Sequence, residues 1–265
     1  MIKKIKMKSI LLKIENNVGF ITLNRPEVFN SFNREMALLM QDTLDVCAKD
    51  DAVRAIVITG SGKAFCAGQD LKEVTTPELN PGFRKILDEH YNPIIQKIRT
   101  IEKPIVAAVN GVAAGAGANI ALACDIVVTT DHASFIQAFS KIGLVPDSAG
   151  TFFLPRLIGF QKATALMMLG DKVSAEEALN LGMIYKIFPV SLFEEEVQAL
   201  ATTLASMPTL ALGLTKRLLN QSLTNNLEQQ LALESDLQIQ ASSSNDYNEG
   251  VTAFIEKRKP EFKGN

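Results

Sequence analysis

Two histidines and three cysteines are all that the 265 residues offer as imidazole bases or soft metal ligands. His90 and His132 lie far apart, and Cys47, Cys66 and Cys124 are widely spaced without any metal-like pairing. A histidine-based metal centre is therefore excluded, and the odd cysteine count points to three reduced thiols in a cytoplasmic protein. A Ser-His-Asp triad needs one of the two histidines in place and stays open as an alternative. Neither sign of charge is in surplus: 27 Lys and Arg against 29 Asp and Glu leave a net charge of −2. Nucleic acid is not the expected partner, because phosphate binding needs clustered cations. The one basic cluster, Lys3, Lys4, Lys6 and Lys8, reads as a solvated terminus. Long apolar runs are missing too. The best candidate, from Asn119 to Val128, is broken by Asp125, so no membrane-spanning helix is expected. No apolar segment with a small-residue cleavage site follows the basic start, which argues against secretion.

What is there is an ordinary globular composition, 47% hydrophobic and 21% charged. The length suits one large domain, or one domain with a helical appendage. Ser9–Ile14 and Val18–Leu23 alternate like strands around an Asn-rich break and predict a hairpin. Met36, Leu39, Met40, Leu44 and Cys47 recur at helical spacing over residues 34–48. Val53–Thr59 and Pro104–Val109 read as buried strands, with a loop and a helix between them. This rhythm predicts an α/β protein with crossover connections, although no repeat period is visible in the residues themselves. After about residue 150 the pattern turns helical. Ser174-Ala-Glu-Glu177 fits a capping box, Gly182 a C-cap, Pro208 a first helical position, and Leu227, Leu231 and Leu237 an amphipathic helix. The expected division is a core over residues 1–195 and a helical region over 196–265, packed on the core, on another subunit, or on both.

Three segments could carry chemistry. Ala64-Phe-Cys-Ala-Gly-Gln-Asp-Leu71 follows a strand and a Gly-Ser-Gly turn. Gly68 permits close backbone approach, Asp70 suits a helix N-cap, and a peptide N–H exposed at such a turn can hold a negative oxygen. It can equally be a capped loop with no ligand. Asn110-Gly-Val-Ala-Ala-Gly-Ala-Gly117 runs from a strand into a helix dense in Gly and Ala. It is neither a P-loop nor a dinucleotide fingerprint. It reads as an anion-holding junction, as tight helix–sheet packing, or as both. Asp147 is the single acid in Phe139-Ser-Lys-Ile-Gly-Leu-Val-Pro-Asp-Ser-Ala-Gly150. Partial desolvation there would raise its pKa and improve it as a base, unless it merely starts a turn or caps a helix. Two backbone donors and one lone acid, without metal, nucleophile–base pair or phosphate loop, suit removal of a proton beside a carbonyl, with the enolate held by amides.

The order of Leu23-Asn-Arg-Pro26, Ala64–Leu71, Asn110–Gly117 and Leu144-Val-Pro-Asp147 resembles the enoyl-CoA hydratase/isomerase (crotonase) family over nearly the whole chain. Asn30-Ser-Phe-Asn33, Tyr91-Asn-Pro93, Ala138–Gly143 and Tyr247-Asn-Glu-Gly-Val251 narrow the likeness to its ring-epoxide isomerases. The resemblance implies a spiral of ββα units with a helical C-terminal trimerisation region, assembled as a homotrimer or dimer of trimers. It implies an acyl-CoA thioester as substrate, and no cofactor beyond the coenzyme A that is part of it. The thioester oxygen would sit between the amides of Gln69 and Ala116, with Gly68, Gly115 and Asn119 beside it. Coenzyme A would be met around Arg25, Ala67, Asp70 and Lys72. Phe254 and Lys257 would reach the adenine end, from the same or a neighbouring subunit, and Phe139 would line the acyl pocket. The family's hydratases carry one Glu on the glycine-rich helix and a second in the following segment; here Asn119 and Phe139 stand there. Neither activates water, which favours isomerase over hydratase. Asp147 stands where hydratases have glycine and several isomerases have an acid, and is the expected base.

Overall fold

A computed structural model of the chain describes residues 3–6, as backbone, and 9–265. The expectation of a solvated lysine cluster concerns side chains outside the described residues. The backbone of Lys3–Lys6 itself is strand β1, paired antiparallel with the next strand, and not a loose terminus.

The strands are β1 (Lys3–Lys6), β2 (Ile10–Glu15), β3 (Val18–Leu23), β4 (Ala55–Gly60), β5 (Ala64–Cys66), β6 (Ile105–Val109), β7 (Val112–Ala114), β8 (Ile126–Thr130), β9 (Ser134–Ile136), β10 (Lys172–Ser174) and β11 (Lys186–Phe188). The helices are α1 (Arg34–Lys49), α2 (Leu71–Thr75), α3 (Phe83–Lys85), α4 (Asn92–Thr100), α5 (Ala116–Leu122), α6 (Gly150–Ile158), α7 (Phe160–Leu169), α8 (Ala175–Asn180), α9 (Phe193–Ser206), α10 (Thr209–Ser222), α11 (Leu227–Ser242) and α12 (Asn245–Glu256). One sheet has the order β1-β2-β3-β4-β6-β8-β11 and the other β10-β9-β7-β5. Each pass therefore leaves one strand in each sheet: β4 then β5, β6 then β7, β8 then β9. The result is an α/β spiral of ββα turns. Its repeat is topological and leaves no sequence period, because loops and helices differ in length from turn to turn.

The local reasons are visible. Asn16 (φ 51°) and Asn17 (φ 61°) are both left-handed, which is what a two-residue hairpin turn needs between β2 and β3. Asn33 caps α1 by accepting the Met36 N–H, and Met36, Met40, Leu44 and Cys47 face the core. In the central parallel strands, alternate residues enter two different apolar clusters. Ile56 and Ile58 face the main core, whereas Val57, Val106, Ala108 and Val128 meet Val197, Ala201 and Ala205 of α9 on the other face. Covered on both sides, these strands read as continuous apolar runs.

Helix α9 crosses residue 195, so the part packed on the sheet ends after Ser206 and the helical remainder is α10–α12. Ser174 accepts the Glu177 N–H as expected, and Gly182 takes a positive φ after α8. Pro208 is the N-cap of α10, one place before the expected position. Leu237 of α11 is buried, but Leu227 and Leu231 are exposed, so part of the expected apolar face has no partner within one chain. The tail is nevertheless tied down. Arg54 donates to Met207 O, Thr209 Oγ1 and Phe262 O, and Asp246 accepts the N–H groups of Lys263 and Gly264. Among the described residues no single helix is long and apolar enough to cross a membrane.

Asp125 joins the helical region to the spiral. It pairs with Arg99 at 3.1 Å and Lys216 at 2.8 Å, and accepts the Ile105 N–H at 2.9 Å. Lys216 is 7% exposed, and its burial pulls its pKa below the ordinary lysine value while Asp125 works against that. Asp125→Ala leaves this ammonium without its carboxylate and is expected to cost about 3–5 kcal/mol. The check is the urea midpoint; a shift equivalent to under about 1 kcal/mol contradicts the assigned role.

Candidate active site

The turn after β5 is clamped to the segment before α1. The Phe32 N–H donates to Gly68 O at 2.7 Å and the Asp70 N–H to Phe32 O at 2.8 Å. Phe32 thus bridges Gln69 in parallel-strand fashion. In extended chain successive peptide groups point to opposite sides, so the Gln69 N–H is directed away from Phe32. Among the described residues it has no partner. Gly68 has φ +92°, and a Cβ there would lie 3.0 Å from Ala114 O and 3.3 Å from the Ala116 nitrogen. The first donor segment is therefore in backbone contact with the second.

That second segment is β7, Gly115 (φ +54°) and the wholly buried α5. Ala116 opens the helix, so its N–H has no carbonyl four residues earlier to bond, and among the described residues none elsewhere. Gly117 explains how the helix comes so close. A Cβ at this position would be 2.4 Å from Cys66 O, so only glycine lets α5 rest on β5.

Asp147 lies between a short helical turn (Ala138–Ile142) and α6. Its carbonyl accepts from Gly150 N–H and from Asn119 Nδ2, each at 2.9 Å. Among the described residues its side chain caps no helix and accepts only the Ser148 hydroxyl, at 2.9 Å. Ser148 (φ 50°) and Ala149 (φ 58°) are both left-handed, an arrangement that non-glycine residues adopt at a cost and that concentrates at functional sites. Burial raises the Asp147 carboxyl from its ordinary 3.8 to about 6, against the Ser148 hydrogen bond, which lowers it.

Asn119 is 1% exposed, accepts from Gln137 Nε2 at 2.8 Å and donates to Asp147 O, while Gly150 packs directly on its amide. It braces the loop that carries the acid. Phe139 is buried with its ring 3.7 Å from where a Gly115 Cβ would stand. Asp70 caps α2 by accepting the Lys72 N–H and pairs with Arg25 at 2.7 Å; Arg25 also donates to Ser31 O. Ala67 and Lys72 are exposed on the same rim. Phe254, 85% exposed, and Lys257 are not brought to this place within one chain. Phe254 lines a separate cavity of about 520 Å³ with Pro208, Gln238 and Phe262. Another cavity, of about 930 Å³, lies beside α9 and is lined by none of the candidate site residues.

Sequence reasoning did not assign a polar chain beside the turn. Tyr91 Oη donates to Gln69 Oε1 at 2.9 Å, and Gln69 Nε2 donates to Glu73 Oε2 at 2.7 Å. His90 is buried against Arg34, and His132 stands exposed beside Asp131; among the described residues neither is bonded to a serine hydroxyl.

In this α/β spiral, the fold of the crotonase enzymes, the Gln69 and Ala116 peptide N–H groups have no partner among the described residues and flank the contact between the β5 turn and α5, and Asn119 of α5 bonds to the loop that carries Asp147. The sequence matches the enoyl-CoA hydratase/isomerase family over residues 13–265, and the chain belongs to that family. Over 260 residues it is 44% identical to the 1,2-epoxyphenylacetyl-CoA isomerase of Escherichia coli K12, covering 97% of this chain and 99% of that one. It is also 44% identical over 256 residues to a probable enoyl-CoA hydratase of Rhodobacter capsulatus, covering 97% and 98%. The crystal structure of an enoyl-CoA hydratase/isomerase from Cupriavidus metallidurans superposes with TM-score 0.90 at 30% identity, covering 98% of each chain.

Holding Asp147 up to about 6 disfavours its charged form in the folded state. Its folded pKa is above its unfolded one. Stability from this group is therefore complete below about 4 and is lost as pH rises through about 6. Asp147→Asn removes that burden, and is expected to stabilise the protein by about 2 kcal/mol at pH 7 and by much less at pH 4. Urea unfolding at the two pH values reads this out, and a variant less stable than its parent at pH 7 refutes it.

Proposed function

We propose that this enzyme is an acyl-CoA isomerase, with Asp147 as the base and the Gln69 and Ala116 amides as the oxyanion hole. The observation that carries the reading is Asp147 itself: a lone, half-buried carboxylate raised to about 6, at a site where both hydratase acid positions hold Asn119 and Phe139. Asn119 has both ends of its amide engaged and Phe139 has no proton to exchange, so neither can activate water. The thioester oxygen accepts from the two N–H groups, and negative charge grows on it as Asp147 takes a proton from the acyl chain. Losing one such donor typically costs about 10²–10³ in rate. The protonated Asp147 returns its proton at another carbon, so the net reaction neither gains nor loses water.

The acyl group we favour is ring-1,2-epoxyphenylacetyl, converted to the seven-membered oxepin in phenylacetate degradation. The likeness to the E. coli isomerase over almost both chains supports it. There the same polarisation would help open the epoxide ring. The second reading is a Δ3-Δ2-enoyl-CoA isomerase such as one acting on dehydroadipyl-CoA, for which a single shuttling base suffices. Coenzyme A would lie along Arg25, Ala67 and Lys72, without a further cofactor. Exposed Leu227, Leu231 and Ile239 of α11, and Phe254 and Ile255 of α12, support a homotrimer or dimer of trimers in which Phe254 and Lys257 reach a neighbour's coenzyme A.

The test is mass spectrometry of the purified protein in D₂O with an epoxyphenylacetyl-CoA generating system and, separately, a 3-enoyl-CoA. Rearrangement without addition of water is expected. Turnover of the enoyl-CoA alone selects the second reading, and water addition to an enoyl-CoA refutes both. Asp147→Asn should lower kcat by about 10²–10⁴. Because the base must be ionised, kcat/KM should rise with pH through about 6 and then level off. Full activity in the variant removes Asp147 from its role.

A further inference from the structure

We propose that Tyr91 is a positioning residue: its hydroxyl fixes the Gln69 side chain and thereby the direction of the Gln69 peptide N–H, an inference that rests on the isomerase reading above. Gln69 is held from several elements at once. Its Oε1 accepts from Tyr91 Oη at 2.9 Å, and its Nε2 donates to Glu73 Oε2 at 2.7 Å. The other oxygen of Glu73 accepts the Arg34 N–H at 2.7 Å, at the start of α1. On either side of Gln69 the backbone is bonded to Phe32, and the Tyr91 ring packs on Phe32 with centroids 6.1 Å apart. A peptide group braced through both its backbone and its side chain does not reorient when charge develops, which is what an oxyanion donor requires.

Packing alone does not call for this hydroxyl. Tyr91 is 1% exposed, and phenylalanine would fill the same space without a polar atom to bury. Tyr91 also closes a π-helical stretch, Ile86–Tyr91, between α3 and α4. Such insertions re-aim side chains and occur frequently at functional sites. Burial first, and then the charges of Cys66, Asp147, Glu73 and Asp70, push its phenol well above the ordinary value. The hydroxyl therefore stays protonated and acts as a donor to Gln69, not as a second base.

The experiment is a double-mutant cycle of Tyr91→Phe and Gln69→Met, which keeps the peptide N–H, on an acyl-CoA that the parent isomerises. Steady-state kinetics, thermal unfolding and the infrared carbonyl stretch of the bound thioester are read together. Tyr91→Phe should lower kcat about tenfold with KM and the melting midpoint nearly unchanged, and should move the carbonyl stretch back toward its free value. It should cost little more once Gln69 is Met. A kcat within about twofold of the parent, or a loss fully additive with that of Gln69→Met, overturns the inference. If Tyr91→Phe does not fold, Gln69→Met decides: undiminished kcat overturns, reduced kcat supports. A parent inactive on every acyl-CoA brings down the isomerase reading and this inference with it; an active parent with indifferent variants brings down this inference alone.

Discussion

The site depends on two stretches of backbone touching with no side chain between them. Gly117 rests on the Cys66 carbonyl and Gly68 lies against the Ala116 nitrogen, at distances that a Cβ would close. Because of this contact, the end of β5 and the start of α5 present their free N–H groups at one junction. A methyl group at Gly117 would stand 2.4 Å from the Cys66 carbonyl oxygen and push the helix off the strand. The rigidity of two packed sheets, apolar on both faces of β4, β6 and β8, is what keeps such a contact in register.

Around that contact the polar groups divide into those that hold and those that are free. Asn119, Glu73 and Asp70 are buried with bonds directed at neighbouring backbone or side chains, and buried Gln137 donates to Asn119 while its Oε1 has no partner among the described residues. Asp147 is the exception: its carboxylate has one hydroxyl donor and a desolvated setting, with left-handed residues following it. A buried group made less stable in its charged form and left with few partners is poorly suited to structure and well suited to taking a proton. The Asn119 amide is a strut that carries the loop of Asp147.

Ion pairs and hydrogen bonds join the helical C-terminal region to the spiral. Asp125, Arg99, Lys216 and the three bonds from Arg54 hold α10 and the tail, while much of the apolar surface of α11 and α12 faces outward. Single-chain packing leaves that surface uncovered, and the division between the two regions falls after α9 because α9 alone among α9–α12 lies across the sheet.

Much of this was legible in the residues. The hairpin followed from an asparagine-rich break, α1 from its apolar period, the buried strands from continuous apolar runs, and the three chemical segments from glycines and a lone acid. These are local signals, set by which φ values, caps and faces each residue type tolerates. The sequence by itself determined the α/β class, the close backbone approach at the glycine-rich segments, and that Asp147 is the one acid in its stretch. Only the tertiary structure decided that Asn119 and Gln137 support Asp147, that Tyr91 and Glu73 bind Gln69, and that Phe254 stands away from the site in one chain. Gln69–Glu73 is a pairing four positions apart, but the others join residues 18 to 28 positions apart, as in Gln137–Asn119 and Asn119–Asp147. No periodicity encodes them, because they exist only once the spiral has brought separate turns into contact.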